Sequence, residues 1–388
     1  KNDYNLNIPR YIDSSEPEDI QDLQAHLHGG IPDRDLDALD EYWKAFSSLR
    51  SALFAENRPG YCDLVIPIAE VQQAVLESPK FKKYAAKVDD AVDEWFAVHR
   101  PQLAKIDENT KPVELIGEIS EDLLARFRSM PLLDAYDVYQ QLMSYWNEAT
   151  MHDDVFMIMN DGWLGAAKPR KTIEDKDRKL SETPDLVIGS GRSATKYKMD
   201  LIPPSLMVST YYYDTQAQID ELTAAAEAAT GAIEEYTEEH AIEDGMLAPA
   251  MDDDKISKAL ATARLRVAKR EKSDPEEIKA LEHLIKLYDA EAAAKKAAKE
   301  LQAELDAAVL KEYGKLTEDD AKALVLDEKW HATIKSRIAG EVTSLTYDLV
   351  ARIQQLGERY AQTVGELDSE LGDLEGKVAG HLAAMGVE

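Results

Sequence analysis

Apolar residues recur at steps of three and four through most of this chain. In "DRDLDALDEYWKAFSSLRSALF", Leu36, Leu39, Trp43, Phe46, Leu49 and Leu53 share one face, which predicts an amphipathic helix with Asp33 or Asp35 near its cap. "SPKFKKYAAKVDDAVDEWFAVHRPQL" repeats the pattern with Phe81, Tyr84, Val88, Val92 and Trp95, and Pro101 is expected to close it. "ISEDLLARFRSMPLLDAYDVYQQLMSYWNEAT" supplies two more helical pieces divided at Pro131. Residues 1–150 therefore read as a helical region.

Between 151 and 214 the texture changes. "DVFMIM", "DLVIG" and "MDLIPPSLMVSTYYYD" are short β-branched or aromatic runs. They are bounded by Asn160-Asp161-Gly162, Gly189 to Gly191 and Pro203-Pro204, as short strands and their turns are. A small strand-containing subdomain is expected here.

From 215 to 388 the pattern is long helix. Ile219, Leu222, Ala226, Ala229, Ile233, Tyr236 and His240 step alternately by three and four, a heptad seam. A second run holds Ile278, Leu281, Ile285, Tyr288 and Ala292, followed by an alanine-rich, charge-laced stretch that Gly314 ends. The third starts at "LTEDDAKAL", where Thr317 precedes Asp320 by three as in a capping box. It carries Ile334, Ile338, Val342, Leu345, Leu349, Leu356 and Tyr360. The last seam is Val364, Leu367, Leu371, Leu374, Val378, His381 and Met385. Such stripes must be covered by one another or by a partner. Part of the tail is expected to lie antiparallel on the helix carrying Ile219 to Tyr236. The rest is expected to meet another protein through Ile334, Ile338, Leu345, Leu349, Leu356, Tyr360, Leu367, Leu371, Leu374 and Val378. The fold class is mainly α: a helical N-terminal region, a small α/β insertion and a coiled-coil-like C-terminal bundle.

Composition narrows the partners. The 388 residues carry 45 basic and 75 acidic side chains, a formal charge of -30, and such a surface repels polyanions on average. The single Cys62 excludes an internal disulfide framework and fits a reducing cytoplasm, where a buried inert thiol is expected. No run approaches the length of a membrane helix.

Catalytic motifs fail on spacing. "VIGSGRS" places two glycines after a strand, but no third follows and "ATKYKMD" does not open a helix, so a hairpin turn is expected rather than a nucleotide loop. In "LIPPSL", Ile202 and Ser205 stand where an amino-methylating loop needs Asn or Asp before the prolines and an aromatic after them. His152-Asp153-Asp154 lacks a second cluster to complete a metal shell and reads as a solvated turn before a strand at Val155. His240 and His381 lie on heptad seams and read as packed histidines. No catalytic, cofactor-binding or metal-ligating residue is assigned.

Two basic patches stand out. One is Lys168, Arg170, Lys171, Lys176, Arg178 and Lys179, beside Glu174, Asp175 and Asp177. The other is Lys258, Arg264, Arg266, Lys269, Arg270 and Lys272. A solvated face is the plain reading. Phosphate contact through Lys168, Arg170, Lys171, Lys258, Arg266 and Arg270 is the sharper one.

The opening "KNDYNLNIPRYID" has no helix cap and reads as the middle of something. "NDYNLNIPRYID" resembles the junction after the catalytic domain in the modification subunit of type I restriction-modification enzymes. The resemblance continues through "EPEDIQDLQAHLHGGIPDRDLDALDEYW", "LLDAYDVYQQLMSYWNEATMHDDVFMIMNDGW", "DLIPPSLMVSTYY" and "LTYDLVARIQQLGERYAQTVGELDSELGDLEGKVAGHLAAMG". It implies an upstream S-adenosylmethionine-dependent adenine-N6 methyltransferase domain before Lys1, whose two catalytic loops have no counterpart in these residues. This chain alone is then expected to be inactive. The resemblance implies a role in joining catalysis to the specificity subunit, alongside a second modification subunit and with room for a restriction subunit. DNA would be met mainly through that complex. A self-contained coiled-coil scaffold or homodimer, unrelated to methylation, accounts for the same stripes.

Overall fold

The computed structural model describes residues 21–148, 151–173, 182–189, 191–242, 245–252 and 255–385. The peptide Lys1 to Asp13, and Lys176, Arg178 and Lys179, lie outside the described residues. The chain is mainly α-helical, with two three-stranded sheets among the described residues. It divides into two compact units, Lys1–Val98 with Gly117–Met143 and Ile334–Glu388, and His99–Ile116 with Ser144–Thr333. Each unit draws on stretches far apart in sequence, so the units do not coincide with the consecutive regions 1–150, 151–214 and 215–388. Among the described residues no helix is long and apolar enough to cross a membrane.

The first unit begins with a helix, Leu23–His28, whose Asp22 carboxylate accepts from the Ala25 N–H at 3.0 Å. Strand Ile31–Pro32 and strand Phe54–Arg58 flank a central antiparallel strand, Tyr61–Leu64, with Ile31 opposite Cys62 and Phe54 opposite Leu64. The helix expected over residues 33–54 is three short ones, Asp33–Asp37, Asp40–Ala45 and Leu49–Leu53. The cause is visible at the joints. Leu39 and Phe46 leave helical geometry, and the Trp43 indole donates to the Leu36 carbonyl at 2.5 Å. The apolar positions still point inward, because Leu36, Trp43, Phe46, Leu49 and Leu53 are all buried.

The long helix Pro79–Leu103 passes through Pro101, which lies in its last turn instead of ending it. Its stripe is buried as expected: the Trp95 indole donates to the Ile119 carbonyl at 2.9 Å, and the Tyr84 hydroxyl to Pro131 at 2.6 Å. Burial pushes the Tyr84 hydroxyl up to about 12. Helix Ala332–Arg359 returns to this unit and buries Ile334, Ile338, Val342, Thr346, Leu349, Val350, Ile353 and Leu356. Each large aliphatic side chain so buried contributes about 1.5–3 kcal/mol. Lys335 to Asp93, at 2.8 Å, and Gln141 to Glu341, at 2.5 Å, tie its polar flank.

In the second unit the segment expected as a strand, "DVFMIM", is helical. Met151–Ala166 is one helix kinked at Gly162, where φ is 67°. Short apolar runs do not distinguish strand from buried helix, and here the helix buries Met151, Val155 and Ile158 on successive turns. "LIPPSLMVSTY" is likewise helical over Pro204–Tyr211, with Pro203 as cap and Pro204 in the first turn, where a missing N–H costs nothing. Strands do form at Arg170–Lys171, Leu186–Ile188 and Thr195–Lys198, the last lying between the other two. Gly189 and Gly191 sit in the hairpin turn, with φ of 90° and 61°.

Helix Tyr213–His240 packs antiparallel on the 39-residue helix Pro275–Tyr313. Tyr212 donates to Glu312 at 3.1 Å near one end, Thr230 to Glu291 at 2.8 Å midway, and the Tyr236 ring meets His283 near the other. The seam through Ile219, Ala226 and Ile233 is buried. Its cover is Pro275–Tyr313, which corrects the expected pairing with the tail. Helix Lys258–Glu271 closes one end around Leu247, Ala261, Ala268, Leu281 and Leu284. The capping box is present, with Thr317 and Asp320 each accepting from the other's N–H, and a nine-residue π-helical stretch, Ala323–His331, follows it.

Candidate assembly surface

The tail after Tyr360 departs from the rest of the first unit. Tyr360 is buried, donates to Asp35 at 3.3 Å and rests its ring on His26. Thr363 then opens a new helix, Val364–Ala384, with a complete capping box. Its hydroxyl accepts from the Glu366 N–H at 3.2 Å, while the Glu366 carboxylate accepts from the Thr363 N–H at 2.8 Å. The Thr363 N–H, and after it the Thr363 hydroxyl, donate to the Glu366 carboxylate and hold that carboxyl below its ordinary value. The helix is therefore well started.

What it lacks is cover. No residue of Val364–Ala384 is buried. Leu371 is 55% and Val378 56% exposed, against 0% for Ile338 on the preceding helix. Val364, Leu367, Leu374, Leu382 and Met385 are exposed on or beside the same stripe. A helix with four glycines, Gly365, Gly372, Gly376 and Gly380, gives up about 1 kcal/mol at each interior one relative to alanine. Little among the described residues offsets that. An amphipathic helix of weak propensity thus presents its apolar face to water.

The sequence-predicted interface residues thus separate into two sets. Ile334, Ile338, Leu349, Leu356 and Tyr360 are internal core and Leu345 is half-buried, so they present no surface to a partner. Leu367, Leu371, Leu374 and Val378 form the exposed stripe. His381 lies on that stripe and is exposed, where a packed histidine was expected.

Among the described residues, half of the candidate phosphate contacts, Arg170, Lys258 and Arg270, are ion-paired. Arg170 is clamped by Glu182, at 2.6 and 2.8 Å, and by Asp200, at 2.9 Å, and the guanidinium holds the Glu182 carboxyl down to about 2. Lys258 pairs with Asp289, Arg264 with Glu277, Lys269 with Glu282, and Arg270 reaches Glu271 at 3.7 Å. Lys168, Lys171 and Arg266 are exposed. A phosphate would have to compete with these carboxylates, which favours the solvated-face reading.

One buried polar group was missed. Asp154, expected in a solvated turn, is 2% exposed. Its carboxylate accepts from the Lys329 ammonium at 2.7 Å and from the Trp330 indole at 2.8 Å, while Lys329 also donates to the Leu201 carbonyl at 2.7 Å. Burial raises the Asp154 carboxyl, and Lys329 opposes that rise. The pair lines a cleft of about 400 Å³ with Asp153, Phe156, Met157, Asn160 and Asp200. The inward step of Asp154 with Val155 and Ile158 was its one sequence signal, legible only once the segment is read as helix.

Among the described residues no three His, Cys, Asp or Glu side chains converge as a metal would require. Cys62 donates to Asp33 at 3.2 Å, and burial together with that carboxylate pushes the thiol up to about 11, which makes it a poor nucleophile. No protein-family model, curated protein or solved structure matches this chain.

Proposed function

We propose that this chain is a non-catalytic assembly region of a type I restriction-modification methyltransferase subunit. It joins the subunit that methylates adenine N6 to the subunit that reads the DNA sequence, and S-adenosylmethionine is handled elsewhere in the parent protein. The observation that carries the assembly role is the uncovered apolar stripe of Val364–Ala384, attached to a helix whose own stripe is buried. The family assignment rests on the sequence resemblance. DNA and any restriction subunit are met through the complex.

Co-expression with a tagged specificity subunit tests this reading. Capture of the wild-type chain, lost on Leu371→Glu while the variant's melting is unchanged, is the expected result. A wild-type chain that fails to co-purify, or a folded Leu371→Glu chain that assembles normally, would refute it.

A further inference from the structure

We infer that the occupant of the exposed stripe is a single amphipathic helix of about three heptads whose flanks are basic, and that charge favours it over a second copy of this chain at that place. This deepens the assembly reading above and rests on it.

The charge layout of the helix selects that partner. With Val364, Leu371, Val378 and Met385 at one seam position and Leu367, Leu374 and His381 at the other, one flank carries Asp368 and Glu375 and the other Glu370 and Lys377. Glu366 and Asp373 stand just outside. The helix thus sets five carboxylates against one lysine, in a chain of formal charge -30. Flanking residues choose partner and orientation in helix pairs.

A second copy gains no net attraction from these flanks in either orientation. Side by side in parallel, Glu370 of each helix faces Glu375 of the other, twice over. Antiparallel, with Leu371 opposite Leu374, the two Glu370 to Lys377 contacts are offset by two of Asp368 with Glu375, and the net acidic charge remains. A helix carrying Lys or Arg at its flanks turns every carboxylate contact attractive. His381 interrupts the stripe near its end, and a polar seam position of this kind fixes register against a polar residue on the partner.

The test uses the full chain and two synthetic helical peptides that share a Leu/Ile heptad stripe, one flanked by lysine and the other by glutamate. Binding is followed by fluorescence anisotropy. The lysine peptide should bind at least about tenfold tighter, since each exposed pair contributes up to a few-fold. Leu371→Glu should abolish that binding, and Glu370→Lys with Glu375→Lys should weaken it about tenfold. Equal affinity for the two peptides, or lysine-peptide binding that survives Leu371→Glu, overturns the inference. Sedimentation equilibrium of the chain alone should give a monomer, whereas a dimer dissolved by Leu371→Glu would make a second copy the occupant. Failure of this inference is separable from failure of the assembly reading. Specificity-subunit capture lost on Leu371→Glu but fully retained by the double lysine variant overturns the basic flanks alone. Absence of capture by the wild type overturns the assembly role, while a lysine preference that depends on Leu371 would still support a basic helical partner.

Discussion

Truncating Leu349 and Leu371 to alanine should separate a covered stripe from an uncovered one. Leu349 is fully buried in the first unit, whereas Leu371, some three heptads later, is 55% exposed. Removing a buried leucine costs about 2–5 kcal/mol, the lost transfer energy plus that of the residual cavity. At Leu371 more than half of the side chain is already in water and no cavity forms. The expected cost there is about 0.5 kcal/mol, within the range of ordinary surface substitutions. With a urea dependence of about 1–3 kcal/mol per molar, Leu349→Ala should lower the unfolding midpoint by about 1 M or more, and Leu371→Ala by no more than about 0.3 M. Intrinsic tryptophan fluorescence is a suitable signal, because Trp43 and Trp95 are buried in the same unit. Comparable shifts in the two variants would mean that the tail stripe is packed in the free chain, and the argument for an assembly surface would fail.

Asp154→Ala should destabilise the second unit by about 3–5 kcal/mol, because it strands the Lys329 ammonium in a buried site. The double variant Asp154→Asn, Lys329→Met should recover much of that loss in urea unfolding, and a double variant no better than the single one would show that the ion pair is not the cause. The Glu182 carboxyl, held at about 2 against an ordinary 4.5, contributes stability that is full above 4.5 and lost as pH falls from there toward 2. Glu182→Gln should therefore flatten the acid limb of the stability profile in that window, and a slope identical to wild type would contradict the Arg170 clamp. Cys62, with its thiol pushed up to about 11, should react with an aromatic disulfide reagent at pH 8 more than about tenfold slower in the native chain than after unfolding. Equal rates would remove the protection assigned to Asp33 and burial.

Local pattern alone was enough to specify a mainly α chain, the apolar faces of Phe81 to Trp95 and of Ile334 to Leu356, and the capping box at Thr317. Each of these is a local property: a period of about 3.6 residues, or a side chain reaching its own backbone three positions on. Sequence also led correctly to the hairpin at Gly189 to Gly191, because two glycines there meet a local need for positive φ. It failed where the outcome depended on a neighbour distant in the chain. "DVFMIM" is equally apolar as strand or helix, and only its surroundings made it helix, carrying Asp154 inward to meet Lys329 175 positions away. The stripes at Leu349 and Leu371 look alike in sequence, since periodicity shows that a face is apolar and says nothing of what covers it. Cover is supplied by long-range packing. The tertiary structure provides it for Ile334 to Tyr360 and leaves Leu367 to Val378 in water, and that difference is what turns one half of a continuous pattern into core and the other into an exposed apolar face.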